Sequence, residues 1–161
     1  MKFSTKGRTL LNLKAKNFNI PNLILITQKQ VKDKPSEVIN RISDNFKNRI
    51  AIRSSAINED TSKKSLAGKY LSFLNLNPKN KSLIKNMINN IIDGYKNKNK
   101  DKNEIIVQDM VEDIAISGVC TTVDLHNYLP IINVNYDEGN RTDAVTSGAN
   151  NSYTITIFEK K

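Results

Sequence analysis

Cysteine is almost absent from this sequence of 161 residues, because Cys120 is the only one. A single cysteine excludes an intramolecular disulfide framework and a cysteine-based zinc site, and it fits a reducing compartment. No apolar run approaches the roughly 18 residues of a membrane-spanning helix. No apolar stretch follows the basic N-terminus as it would in a signal peptide. We therefore expect a soluble, cytoplasmic protein with no membrane partner.

Aromatic residues are also few, at 6% with no tryptophan, and hydrophobic residues reach only 38%. The length fits one ordinary domain or two small lobes with a lightly packed core.

Acidic residues are scarce in one part of the chain only. Residues 1–102 contain 22 lysines and arginines against 7 acidic residues, and residues 103–161 contain 3 lysines and arginines against 9 acidic residues. The basic part favours anionic partners such as nucleotide phosphates, nucleic acid or acidic lipid, although a general lysine and asparagine bias explains the excess equally well.

Hydrophobic periodicity predicts alternating helices and strands in the basic part. The most regular pattern predicts a helix from Pro78 to about Tyr95, whose apolar residues recur every three or four positions. We predict further helices over 7–18 and from Pro35 onward, and the second of these has Val38, Ile42 and Phe46 on one face. Strands are predicted over 23–26, 50–52 and 70–76. The last strand has Leu71, Phe73 and Asn75 on one side.

The segment 96–102 is rich in lysine and asparagine and is predicted to be a solvated connector. We place a lobe boundary near residue 100, since the charge balance changes sign there. Beyond it we predict strands over 104–108, 116–124, 131–136 and 153–158, with turn residues between the last two. The predicted fold class is α+β, with a basic lobe at 1–100 and a β-rich lobe at 101–161.

The segment 50–70 carries the most specific chemical pattern. An apolar strand ends at Arg53 and is followed by two serines, by the acidic pair Glu59-Asp60, and by Ser65-Leu66-Ala67-Gly68. Arginine has a rigid fork of donors suited to phosphate oxygens, and small residues let backbone amides approach a phosphate closely. The pattern predicts a polyphosphate cradle, and an exposed arginine before an ordinary turn is the alternative.

Two weaker patterns accompany it. Lys6 lies just before a predicted helix, whose N-terminal amides favour anions. The segment Val107-Gln108-Asp109-Met110-Val111 ends a strand. Such a hinge can offer backbone groups to an adenine edge while Met110 and Val111 supply apolar contact.

Other reactive residue types carry little signal. His126 is the only histidine and is predicted to lie in a loop without a catalytic or metal-binding role. Cys120 falls in an apolar strand and is predicted to be a small core residue. The acidic pairs Glu112-Asp113 and Asp137-Glu138 have adjacent members, which point to opposite faces of a strand, so neither predicts a metal site.

Together these segments resemble the ATP-grasp nucleotide-binding domain of the phosphoenolpyruvate synthase and pyruvate phosphate dikinase family. The matching blocks follow the family order and are Lys6-Gly7-Arg8 with Pro21 to Thr27, Ile52 to Ala56 with Glu59-Asp60 and Ser65 to Gly68, Val107 to Val111 with Ser117-Gly118-Val119, and Val145-Thr146-Ser147-Gly148. Within the family the sequence looks closest to the L-glutamine kinases that initiate phosphoramidate modification of bacterial capsules.

The resemblance implies roles for individual residues. Lys6 and Arg53 match the phosphate-contacting lysine and arginine, and Arg53 is the catalytic candidate. Ser65, Leu66, Ala67 and Gly68 match the loop over the phosphates, and Gln108, Met110 and Val111 match the adenine side. The implied cofactors are ATP and Mg²⁺. The implied activity is phosphotransfer through a histidine on a separate swivelling domain to an acceptor, L-glutamine or alternatively pyruvate.

The sequence also departs from the family pattern. In the family, the Val-x-Ser-Gly block is followed by an Asp-x-Glu and a Gln-x-Arg segment, which bind the metal and the phosphates. Neither segment occurs before Lys161, and the swivelling histidine domain does not occur either. We therefore expect the N-terminal portion of a larger enzyme, which binds nucleotide weakly and is inactive by itself. The alternatives are a regulatory ATP-binding module, or a nucleic-acid-binding module using residues 79–102, for which no nucleic-acid motif is found.

Overall fold

A computed structural model describes residues 5–56, 60–61, 64–65, 71–95, 103–124, 128–139 and 153–158. The chain divides into two compact units, Met1–Met110 and Val111–Lys161. The helices are α1 (Lys6–Ala15), α2 (Gln28–Asp33), α3 (Pro35–Asn45) and α4 (Lys81–Gly94), and the strands are β1 (Leu23–Thr27), β2 (Ile50–Ser55), β3 (Asp60–Thr61), β4 (Lys64–Ser65), β5 (Ser72–Leu76), β6 (Glu104–Asp109), β7 (Ser117–Thr121), β8 (Ile131–Asp137) and β9 (Tyr153–Phe158). The α+β expectation is confirmed. Within the described residues, no helix has the length and apolar character needed to cross a membrane.

The first unit is built on an antiparallel sheet with the strand order β1-β6-β2-β5. The face that carries Ile26, Ile52 and Ile105 packs against α3 and α4. The apolar stripe of α4 provides Ile84, Ile88 and Ile91, all of which are buried. Burial of these aliphatic side chains on one sheet face is the main contribution to the stability of the unit.

Most predicted elements of this unit are confirmed, with shifted ends. The predicted inner face of α3 is buried at Val38, Ile42 and Phe46. Helix α4 begins at Lys81 rather than at Pro78, because the Asn80 side chain accepts a hydrogen bond from the Leu83 amide and caps the helix there.

Strand β5 does not follow the predicted alternation. Ile50 pairs with Leu76 while Ile52 pairs with Phe73, so β5 contains one extra residue opposite β2. Asn75 absorbs this bulge with a positive φ of 58°. Phe73 and Leu76 consequently both pack on the core, although strict alternation would place them on opposite faces.

The boundary between the units also differs from the predicted one. Strand β6 is hydrogen-bonded to both β1 and β2, so residues 104–109 belong to the centre of the first sheet. The division accordingly falls between Met110 and Val111. The change of charge sign near residue 100 therefore does not coincide with a change of structural unit.

The second unit contains the antiparallel meander β7-β8-β9. None of its described residues is buried. One face carries Asn133 and Asn135, whose side-chain oxygens accept hydrogen bonds from Thr156 and Thr154 on β9. The other face is apolar, and on it the rings of Tyr136 and Tyr153 stack with centroids 5.3 Å apart.

Two predictions for this unit are wrong. Cys120 is exposed on β7 rather than packed in a core, because the strand has no buried face. Glu112 and Asp113 do not lie on a strand, since they precede β7 and Asp113 has a positive φ of 52°. Their lack of a metal site stays a prediction from the sequence.

Candidate nucleotide site

The second face of the first sheet carries two of the predicted site residues that the structure describes, Arg53 and Gln108. Directly paired residues of antiparallel strands have side chains on the same face. Arg53 pairs with Ile106, Ser55 with Glu104, and Ala51 with Gln108. Arg53, Ser55, Glu104 and Gln108 therefore share one face, opposite to the face that packs on α3 and α4.

Helix α1 lies on this face through Gly7. The Gly7 amide donates to Ser55 Oγ at 3.0 Å. A Cβ atom at Gly7 would overlap with the side chain of Leu25 and would lie 3.2 Å from Ile106 Cγ1. This close approach, which only glycine allows without rearrangement, brings the first turn of α1, and with it the exposed residue Lys6, to the end of β2.

Glu104 anchors the same helix turn with its carboxylate. Its Oε2 atom accepts a hydrogen bond from Thr5 Oγ1 at 2.6 Å. Its Oε1 atom accepts from Arg8 Nε at 2.8 Å and lies 2.7 Å from Arg8 Nη2. Both carboxylate oxygens are thus used, and the negative charge is placed at the positive end of the α1 dipole.

The N-terminal amides of α1 are occupied within the protein. Arg8 N–H donates to Thr5 Oγ1 at 3.3 Å, and Gly7 N–H donates to Ser55 Oγ. The expectation that helix-terminal amides bind an anion is therefore wrong for these two groups. The exposed side chain of Lys6 at this turn stays the candidate phosphate contact from the sequence.

Arg53 has an unusual environment on β2. It is half-buried, and its Nε atom is buried with no hydrogen-bond partner among the described residues. A buried donor without a partner costs about 1–3 kcal/mol, and more when the group is charged. The donor is thus both desolvated and unpaired, and an anionic oxygen that reached it would satisfy it.

The predicted hinge is divided between the two units. Gln108 and Met110 are half-buried in the first unit, and Val111 begins the second with 50% of its surface exposed. The amides of Asp109 and Met110 donate to the carbonyl oxygens of Asn22 and Arg49, both at 2.9 Å. These two amides are therefore engaged in the fold and are not free to bind an adenine edge.

Several predicted positions lie outside the described residues. They are Glu59, Leu66, Ala67, Gly68, His126 and the block 145–148. Ser65 pairs through its backbone with Asp60 in the β3-β4 hairpin. The described part of the chain holds no group of three or more histidine, cysteine, aspartate or glutamate side chains that could bind a metal ion.

Three residues of the network around α1 were not singled out from the sequence. They are Thr5, Tyr95 and Glu104. Thr5 could have been found from the rule that threonine precedes a helix as an N-cap. Glu104 opens an apolar strand, and nothing in its sequence context distinguishes it from an exposed strand-end carboxylate.

Comparison with protein families gives a match over nearly the whole chain. The family described as "Pyruvate phosphate dikinase, AMP/ATP-binding domain" matches residues 5–160. The chain belongs to this family. No curated protein matches it. Membership in this family supports ATP as the ligand.

Proposed function

We propose that this chain is the ATP-binding part of a phosphotransferase and that Lys6 and Arg53 bind the phosphates of ATP. The buried Nε atom of Arg53, which has no hydrogen-bond partner among the described residues, is the observation that carries this proposal. In a desolvated site, a phosphate oxygen accepts a hydrogen bond from a guanidinium more strongly than a water oxygen does. Membership in the AMP/ATP-binding domain family supports the same ligand.

The adenine end is proposed to lie beside Gln108, Met110 and Val111, and the loop 65–68 is proposed to cover the phosphates. Gln108 supports this arrangement because it lies on the same sheet face as Arg53. It follows Ile106, the residue that pairs with Arg53, by two positions along β6. We further propose an ATP-grasp fold and transfer of the phosphoryl group through a phosphohistidine. These finer statements rest on the resemblance of the sequence blocks.

Calorimetric titration with ATP tests the phosphate assignment. Arg53→Ala should reduce the affinity by at least tenfold, since it removes a desolvated charged donor, equivalent to about 1.4 kcal/mol or more. Arg41→Ala is the matched control, because Arg41 is exposed on α3 and its loss changes the net charge equally. Equal losses in the two variants would instead indicate a diffuse basic patch, and steep salt dependence of binding to DNA or RNA would then favour nucleic acid.

The acceptor is proposed to be L-glutamine, with pyruvate as the alternative, on the resemblance to L-glutamine kinases. Phosphorus NMR of mixtures containing ATP, either acceptor and an enzyme that joins this domain to its phosphohistidine domain separates the two, because a phosphorus–nitrogen bond and an enol phosphate give different signals. Formation of phosphoenolpyruvate would overturn the glutamine assignment.

A further inference from the structure

Helix α1 buries no large apolar side chain completely. Gly7 is its only buried residue, and Leu10 and Leu13 are half-buried. A helix of 10 residues is marginal in water by itself, and helices in proteins are normally held by a buried apolar face. Polar contacts therefore help to fix the position of α1, and with it that of Lys6.

Glu104 supplies those contacts from the centre of the sheet. It is 3% exposed and is the one charged residue that is buried in the described part of the chain. A buried carboxylate is tolerated only when hydrogen bonds and an opposite charge compensate its desolvation. Thr5 and Arg8 provide both, so the compensation of Glu104 depends on α1 being in place.

The main chain of Glu104 is tied to the end of β2 by Tyr95. The Tyr95 hydroxyl donates to the Glu104 carbonyl oxygen at 2.5 Å and accepts from the Ser55 amide at 3.1 Å. Ser55 Oγ in turn accepts from Gly7. One buried network thus joins the first turn of α1 to the strand that carries Arg53.

We propose that Glu104 is a positioning residue that sets the distance between Lys6 and Arg53 and thereby tunes the affinity for the polyphosphate chain. The inference rests on the proposed function of these two cations. Glu104 itself contacts no phosphate in this account, because its negative charge would repel one. Loss of the Glu104 carboxylate should weaken the affinity for a ligand in proportion to its number of phosphates, since the proposed adenine contacts, Gln108 to Val111, lie further along the chain.

Titration with adenosine, AMP and ATP tests this role in the full chain. Glu104→Gln should weaken ATP binding about tenfold and leave adenosine within about twofold, as expected for one misplaced charged contact. Thr5→Val should act in the same direction, and Thr5→Ser should restore affinity because it keeps the hydroxyl. Glu37→Gln is the matched control, since Glu37 also pairs with a cation but is exposed on α3.

A measurement without ligand separates this inference from the proposed function. Hydrogen exchange of the α1 amides should become faster in Glu104→Gln and should stay unchanged in Glu37→Gln. Unchanged α1 exchange in Glu104→Gln would overturn the positioning role even if ATP binds. Equal weakening of all three ligands would overturn it too, because it indicates a general loss of structure. Absence of any nucleotide binding by the wild-type chain would refute the proposed function instead.

Discussion

Single residues on the α1 side of the sheet combine close packing with charge. Gly7 leaves room for the helix, Glu104 holds it, and Arg53 keeps a buried donor without a partner among the described residues. The first two features stabilise the fold, whereas the third destabilises the free protein. Such a cost in the free protein is typical of a binding site, because it is recovered on binding.

Gly7→Ala tests how tightly α1 approaches the sheet. Alanine favours a helix by about 1 kcal/mol over glycine, so an unconstrained site would be stabilised. Here the new methyl group overlaps with Leu25, and we expect a net loss of about 1 kcal/mol in the free energy of unfolding, measured by urea denaturation. In a Leu25→Ala background the same substitution should become stabilising. Stabilisation in the wild-type background would show that Leu25 moves aside freely.

Arg53 could be singled out from the sequence as a candidate, and Glu104 could not. Arg53 stands at the end of an apolar strand before small polar residues, which is a local pattern. The role of Glu104 in holding α1 depends on its contacts with Thr5 and Arg8, which are 99 and 96 positions away in the sequence. A contact of that kind exists only after the sheet has placed β6 beneath α1.

At the scale of elements, the bulge in β5 decides which side chains reach the core. The extra residue lies between Phe73 and Leu76, and Asn75 adopts the left-handed conformation there. Asparagine tolerates this conformation better than most residues with a side chain. The bulge therefore lets two apolar residues of odd separation face the same layer of helices.

Substitutions at Asn75 test the bulge. Asn75→Gly should leave the free energy of unfolding within about 0.5 kcal/mol, because glycine adopts a positive φ without strain. Asn75→Ala should lower it by roughly 1–2 kcal/mol, since a Cβ atom without a compensating polar group is strained in this region. Asn86→Ala, at an exposed position of α4, serves as the control. A tolerated alanine at position 75 would mean that the bulge can migrate along β5.

Regular elements were predictable where the apolar period extends over several turns. The stripe of α4 predicted its buried face, and Pro35 predicted the start of α3. Helix α2 was missed although Thr27 and Gln30 form a capping box, since it has only six residues and no buried face. The strand alternation failed at β5 because a bulge is a pairing feature that no single strand reveals.

At the scale of the whole molecule, burial is concentrated in the first unit. Every buried residue of the described part lies at or before Val107. The second unit presents exposed aliphatic side chains on one sheet face, among them Ile155 at 47% and Ile157 at 49%. Amides whose opening requires loss of a packed core exchange slowly, and those of an uncovered sheet exchange quickly.

Hydrogen exchange of the intact chain should therefore show two levels of protection. We expect the amides of β2 and β6 to be the slowest, because both strands lie inside the first sheet above a buried core. The amides of β7 and β9 should exchange at least about a hundredfold faster, as expected for edge strands without a buried face. Measurement at two protein concentrations controls for self-association through the apolar face. Equal protection of the two units at the lower concentration would contradict this prediction, since it would require a cover for the second sheet.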